Sequence, residues 1–421
     1  MSSPQTQRTI EAIWRIESPK LIAKLTRMVR DVSLAEDLAQ DALVIALEKW
    51  PHAGIPDNPG AWLMTTAKRR AIDLLRRTKI RDQKYVEIAK NTDLYTEEDI
   101  DHVLDGEIGD DLLRLIFMTC HPVLSQDARV ALTLRLLCGL NTEEIARSFL
   151  VAESTIAQRI VRAKRTLNEK KIPFEVPLGE ELNDRLSTVL EVVYLMFNEG
   201  YSATSGDHWI RPLLCQEALR LGRVLAEIAP NEPEVHGLVA LMEIQFSRFK
   251  TRVNSKGEPV LLMDQNRAQW DQLLIRRGLA ALERSRKLGR TLGPYSLQAA
   301  ISACHTQAPT PEETDWPRIA ALYEALSIVM PSPIVELNRA VAISMAFGPD
   351  IGIQIVDELN ADPTLKKYHL LPSVRADLLM KLGRYNEART EFERAASLTQ
   401  NERERTLLLN RAMECGKGTF T

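Results

Sequence analysis

What most constrains the fold of this chain is the spacing of its apolar residues. From Leu34 to Phe392 they recur at intervals of three and four, and no stretch shows a convincing strand alternation. In the later part, Leu186, Val189, Leu190, Val193, Tyr194 and Phe197 mark one helix, followed by Asn198-Glu199-Gly200-Tyr201 and a polar turn. Cys215, Leu219, Leu221, Val224 and Leu225 mark another that ends near Pro230, and His236, Leu238, Ala240 and Leu241 begin a third. The expected class is therefore all-α. At 421 residues the chain exceeds the usual single-domain size, and 45% apolar content is enough for several cores.

A net charge of -3 would disfavour nucleic acid if it were evenly spread, but local field matters more than the total. Lys68, Arg69, Arg70, Arg76 and Arg77 crowd one predicted helix, whereas residues 91–111 contain many acids and no Lys or Arg. The cysteines Cys120, Cys138, Cys215, Cys304 and Cys415 are far apart, without metal-like pair spacing, so buried free thiols are expected. His208, His236, His305 and His369 form no HExxH-like arrangement, and no phosphate-cradling glycine loop is visible. No cofactor or metal is implied, and no enzymatic activity. No export signal or long apolar run is apparent, so a cytoplasmic protein without membrane attachment is expected.

Ser18-Pro19 reads as a helix start running to about Arg30. Ser33 with Glu36 forms a capping box, followed by apolar Leu34, Leu38, Ala42, Ile45 and Ala46. The loop from Pro51 to Pro59 should end that helix. A third is expected from about Ala61 to Arg77, with Trp62, Leu63, Ala67, Ile72 and Leu75 inward. Further on, helices are predicted from Asp110 to Cys120 and from about Ser125 to Cys138. Asn141 and Glu144 form a second capping box, opening a short helix to about Ser148. A turn through Leu150 then leads to a longer helix near Glu153 to Glu169. Ile145, Ala146, Ile156 and Ile160 have the spacing of a helix-turn-helix.

Two of these stretches carry a specific resemblance. Ala35-Glu36-Asp37-Leu38-Ala39-Gln40-Asp41-Ala42-Leu43, with Trp62-Leu63 and Asp73-Leu74-Leu75-Arg76-Arg77, resembles the second conserved region of extracytoplasmic-function (ECF) sigma factors of RNA polymerase. The resemblance implies that Asp37, Gln40 and Asp41 touch core polymerase. Lys68, Arg69, Arg76 and Arg77 would hold the backbone of melted promoter DNA, and Trp62 would pack the domain. Lys68 stands where many relatives carry asparagine. Thr142-Glu143-Glu144-Ile145-Ala146 with Ser154-Thr155-Ile156 and Arg162-Ala163-Lys164-Arg165 resembles the family's fourth region, which recognises the promoter's -35 element. Ser154 and Thr155 would lead the helix into the major groove and Arg162 would follow. Gln158 and Arg159 would read base edges, and Lys164 and Arg165 would contact phosphates. Many relatives have glycine in the inter-helix turn where this chain has Leu150, which suggests a strained or reshaped turn.

Leu382-Gly383-Arg384-Tyr385-Asn386-Glu387-Ala388, then Phe392 and Ala395, resembles half of a tetratricopeptide repeat, and a weaker unit begins at Ser332-Pro333 and runs to Gly348-Pro349. A subgroup of ECF sigma factors carries such an extension, and the resemblance covers essentially the whole chain. The expected organisation is a region-two domain (1–85), an acidic linker (86–109), a region-four domain (110–175) and an α-solenoid extension (176–421), which divides near residue 290. The expected partners are core RNA polymerase and promoter DNA, with the extension folding onto the sigma module or binding a protein regulator. A helix-turn-helix repressor acting without polymerase and a helical scaffold stand as alternatives.

Overall fold

The computed structural model describes residues 4–85, 108–137, 139–149, 151–177, 179–203 and 209–417. These divide into two compact units, Met1–Met196 and Phe197–Thr421. Among the described residues every long element is helical, and the extended backbone pairing is confined to an isolated bridge between Val253 and Pro259.

In the first unit, α1 (Pro4–Val29), α2 (Val32–Ala53) and α3 (Pro59–Tyr85) pack against one another. Ile10, Leu21, Leu25, Leu38, Ala42, Leu63 and Ala67 are buried in this part of the chain. Two expected starts are corrected here. Ser18-Pro19 opens no helix: α1 begins well before it and passes through Pro19. A proline inside a helix removes one hydrogen bond, and the burial of Leu21, Ile22, Ala23 and Leu25 beyond it offsets that loss. The cap of α2 is Asp31, whose carboxylate accepts from the amides of Ser33 at 2.8 Å and Leu34 at 2.9 Å. Ser33 therefore sits inside the helix, and Glu36 is released from any capping role. Pro51 lies within α2, which ends at Gly54 with φ 85°. Asn58 caps α3 through its side chain to the Ala61 amide at 3.0 Å.

The rest of this unit comprises α4 (Ile108–Thr119), α5 (Gln126–Leu136), α6 (Thr142–Phe149), α7 (Glu153–Glu169) and the first residues of α8 (Glu180–Tyr201). Gly139 turns the chain between α5 and α6 with φ 63°. Buried Ile145 on α6 packs with Ile156 and Ile160 on α7, which gives the helix-turn-helix expected from the spacing. Arg185 on α8 lies over the Phe117 ring, 5.4 Å from its centroid, and donates to the Phe117 carbonyl. Most of the acidic linker, Cys138, Leu150 and the side chain of Glu144 lie outside the described residues.

The second unit is a stack of paired helices. It begins with the end of α8, α9 (Pro212–Ile228) and α10 (Pro233–Ser247), followed by 3-10 turns at Phe249–Thr251, Leu262–Asp264 and Arg267–Gln269. Then come α11 (Gln272–Leu288), α12 (Pro294–Gln307), α13 (Trp316–Val329), α14 (Pro333–Phe347), α15 (Pro349–Leu359), α16 (Leu370–Lys381), α17 (Tyr385–Leu398) and α18 (Glu402–Lys417). Each helix from α9 to α18 packs on the next, as a solenoid-like array requires. Asn198 to Tyr201 forms the last turn of α8. Gly200 lets α9 approach, because a Cβ there would meet the Cys215 backbone nitrogen at 2.7 Å. Phe392 is fully buried in a core with Leu379, Ala388, Ala395 and Leu408.

Candidate polymerase and nucleic-acid interface

Helix α2 divides its residues cleanly. Ala35, Leu38, Ala39, Ala42 and Ala46 face the core, while Asp37, Gln40, Asp41, Val44 and Glu48 stay exposed on the other side. The exposed residues fall at three- and four-residue intervals, so they form one stripe along the helix. Asp41 is paired with Arg70 of α3, and Gln40 donates to Glu36 at 3.2 Å. On α3, Lys68 is half-buried while Arg69 and Arg76 are exposed; Arg77 lies on the helix, but its side chain is outside the described residues. Trp62 packs edge-on against Trp50, with centroids 5.3 Å apart.

Helix α7 is amphipathic in the same way. Ile156, Ile160, Ala163 and Leu167 are buried, whereas Ser154, Thr155, Gln158, Arg162 and Arg165 are exposed. Such a helix can offer its outer face to a groove without unpacking its inner one. The remaining two predicted contacts are engaged within the protein. Arg159 pairs with Asp127 of α5 at 3.1 Å, and Lys164 pairs with Glu36 of α2. Arg165 is bound to its neighbour Glu169 one helical turn on.

Glu36 is the residue that sequence reasoning missed in its true role. Its carboxylate is only 4% exposed and receives Arg135 from α5 at 3.0 Å together with Lys164 from α7. A carboxylate buried this deeply needs such partners, because desolvation of an unpaired charge costs several kcal/mol. The partners come from 99 and 128 residues away, so no local pattern announces them. The available signal was an acid set among the inward positions Ala35, Leu38 and Ala39.

Among the described residues no group of His, Cys, Asp and Glu has the arrangement of a metal site. Cys120, Cys215, Cys304 and Cys415 are free and buried, and burial pushes the Cys120 thiol up to about 12. Glu199 pairs with Arg211 at 3.2 Å, His236 meets the Pro230 carbonyl at 2.9 Å, and His369 meets Glu404 at 3.0 Å. His208 lies outside the described residues. Among those residues no helix is long and apolar enough to cross a membrane.

Comparison with known proteins finds three family matches along the chain. Residues 13–80 match Sigma-70 region 2, residues 114–167 match Sigma-70 region 4, and residues 185–286 match a family of unknown function, DUF6596. The uncharacterized protein R00370 of Rhizobium meliloti is 41% identical over 387 residues, which cover 92% of this chain and 91% of that protein. The ECF RNA polymerase sigma factor SigK of Mycobacterium ulcerans is 32% identical over 148 residues, covering 34% of this chain and 75% of its own. The probable ECF RNA polymerase sigma factor SigI of Mycobacterium tuberculosis is 28% identical over 195 residues, covering 44% and 67%.

Proposed function

The chain belongs to the ECF sigma factors through its region-two and region-four parts, and we propose that it directs core RNA polymerase to a two-element promoter. It is a non-catalytic regulatory subunit, since the chemistry of transcription belongs to the polymerase. In this reading Asp37, Gln40 and Asp41 dock on core enzyme. Lys68, Arg69, Arg76 and Arg77 hold the backbone of the melted -10 element. Ser154, Thr155, Gln158, Arg159 and Arg162 enter the major groove of the -35 element, and Lys164 and Arg165 rest on its phosphates.

The observation that carries this reading is the pairing of two outward faces in one sigma-type unit, the acidic and polar stripe of α2 and the polar face of α7. The Glu36 contact adds a condition. Elements at -35 and -10 lie roughly 25 base pairs apart, about 80 Å of duplex at 3.4 Å per base pair. Helix α7 cannot reach the distant element while Lys164 is held at α2, so reading both requires the Glu36 pairs to break. The stripe at Asp37, Gln40 and Asp41 stays exposed meanwhile, so polymerase docking can come first. The long extension, a tetratricopeptide-like array in this reading, modulates that step.

Reconstituted transcription with core enzyme tests the proposal. The full-length protein should initiate from a defined promoter, D37K should lose core binding, and Q158A should alter preference at the -35 element. Duplex binding and repression with no affinity for core enzyme would instead favour the repressor.

A further inference from the structure

Arginines in the second unit commonly meet carboxylates. Arg223 reaches Glu243 at 2.8 Å, and Arg375 reaches Asp357 at 2.8 Å and Glu391 at 3.1 Å. One cluster departs from this pattern. Arg248, Arg252 and Arg267 gather around Tyr201, Trp270 and His305, and no ion pair satisfies any of the three among the described residues. Arg248 and Arg267 are only 6% and 8% exposed.

The hydrogen bonding is incomplete in the same place. Arg248 donates to the Tyr201 hydroxyl at 3.1 Å, and Arg267 donates to the carbonyls of His305 and Ala308, both at 2.8 Å, and to Thr314 at 3.0 Å. Arg252 lies flat on the Tyr201 ring, 3.4 Å from its centroid. Yet Nε of Arg248, Arg252 and Arg267 and Nδ1 of His305 have no hydrogen-bond partner, four of the nine such buried atoms among the described residues. Orphaned buried donors are rare in folded proteins, and here they coincide with three guanidinium groups that no salt bridge reaches, Arg267 alone feeling the Glu312 and Glu313 carboxylates from farther off.

The titrations respond to the same field. Burial and the neighbouring Arg248 and Arg267 push His305 down to about 3. Burial alone would raise the Tyr201 phenol, but Arg248 and Arg252 outweigh it and lower the phenol below its ordinary value.

We propose that Arg248, Arg252 and Arg267 form a binding site for a small oxyanion, of the class of a phosphate group. Guanidinium forks match tetrahedral oxyanions and would use the orphaned N–H groups. Because the cluster is buried, the ligand is a small molecule and not a nucleic-acid strand. Tyr201, Arg248, Arg252, Arg267 and Trp270 all lie within the stretch matching DUF6596, so the site gives that stretch a ligand-sensing role.

Inorganic phosphate is the probe, titrated into the full-length protein at constant ionic strength with chloride as the balance. The melting temperature of the wild type should rise saturably, by roughly 5–10 °C at a hundredfold excess over the dissociation constant. R248M should abolish the response, and without phosphate it should melt no lower than the wild type, because one uncompensated cation has gone. A wild-type titration indistinguishable from chloride overturns the proposal, even if R248M fails to fold. A loss of melting temperature in R248M that is the same with and without phosphate also overturns it, because the cluster is then compensated within the chain.

Discussion

Two charge clusters, one in each unit, are built in opposite ways. In the first, the Glu36 carboxylate draws Arg135 and Lys164 from two other helices, so acid and base are both supplied by the fold. In the second, Arg248, Arg252 and Arg267 converge without a salt bridge among the described residues, and only Arg267 feels carboxylates, those of Glu312 and Glu313, at longer range. A self-sufficient cluster acts as a clasp between elements, and it can be undone when one member finds a better partner. A cluster lacking its counter-charge is instead prepared for something from outside. The same chain thus carries one contact suited to release and another suited to capture.

The comparison can be broken most forcefully at Glu36. E36K places three cations together in a half-buried space and should cost about 3–5 kcal/mol of first-unit stability by urea denaturation, as loss of a buried partner does. A cost below about 1 kcal/mol would mean the carboxylate is not the clasp.

An acid titration separates the units next. His305 has a folded value of about 3 against 6.5 in the unfolded chain, so between those values the unfolded state binds more protons. Its contribution is complete above about pH 6.5 and is lost as pH falls toward 3, at up to about 1.4 kcal/mol per pH unit. Second-unit stability should show this slope, and H305N should flatten it.

D377N sharpens the contrast by creating, elsewhere in the second unit, the unpaired condition of Arg248. Burial alone would raise the Asp377 carboxyl, but Lys381 and Arg411 prevail and hold it below its ordinary value. Its contribution is present above about pH 4 and lost at lower pH. Replacement should cost about 1–3 kcal/mol at neutral pH in thermal melts and nothing in strong acid. The smallest effect belongs to R165Q. Arg165 holds an exposed pair with Glu169, so the melting temperature should match that of the wild type while promoter affinity falls at low salt.

Local features of the fold were legible wherever neighbours in sequence are neighbours in space. Helix α7 begins at Glu153 and ends at Glu169 as its spacing indicates, and Phe392 fills the core its repeat-like context suggests. Local signals misled where packing overrode them. Pro19 sits inside α1, and Asp31 takes the cap that Ser33 resembled. The outward faces of α2 and α7 follow from periodicity, whereas the engagement of Arg159 and Lys164 does not. Charge clusters drawn from distant helices have no sequence period: Glu36 waits on residues 135 and 164, and the arginine cluster spans residues 248 to 305.

Whether α7 leaves α2 when the protein works can be measured as a distance. Cysteines at exposed Lys49 and Glu169 accept fluorophores, the buried native thiols being poor competitors once Cys138 is replaced by serine. Energy transfer should be high in the free protein and collapse on addition of core polymerase and promoter DNA, with a separation of tens of ångströms. Unchanged transfer in a complex that initiates transcription would contradict the release of the Glu36 clasp.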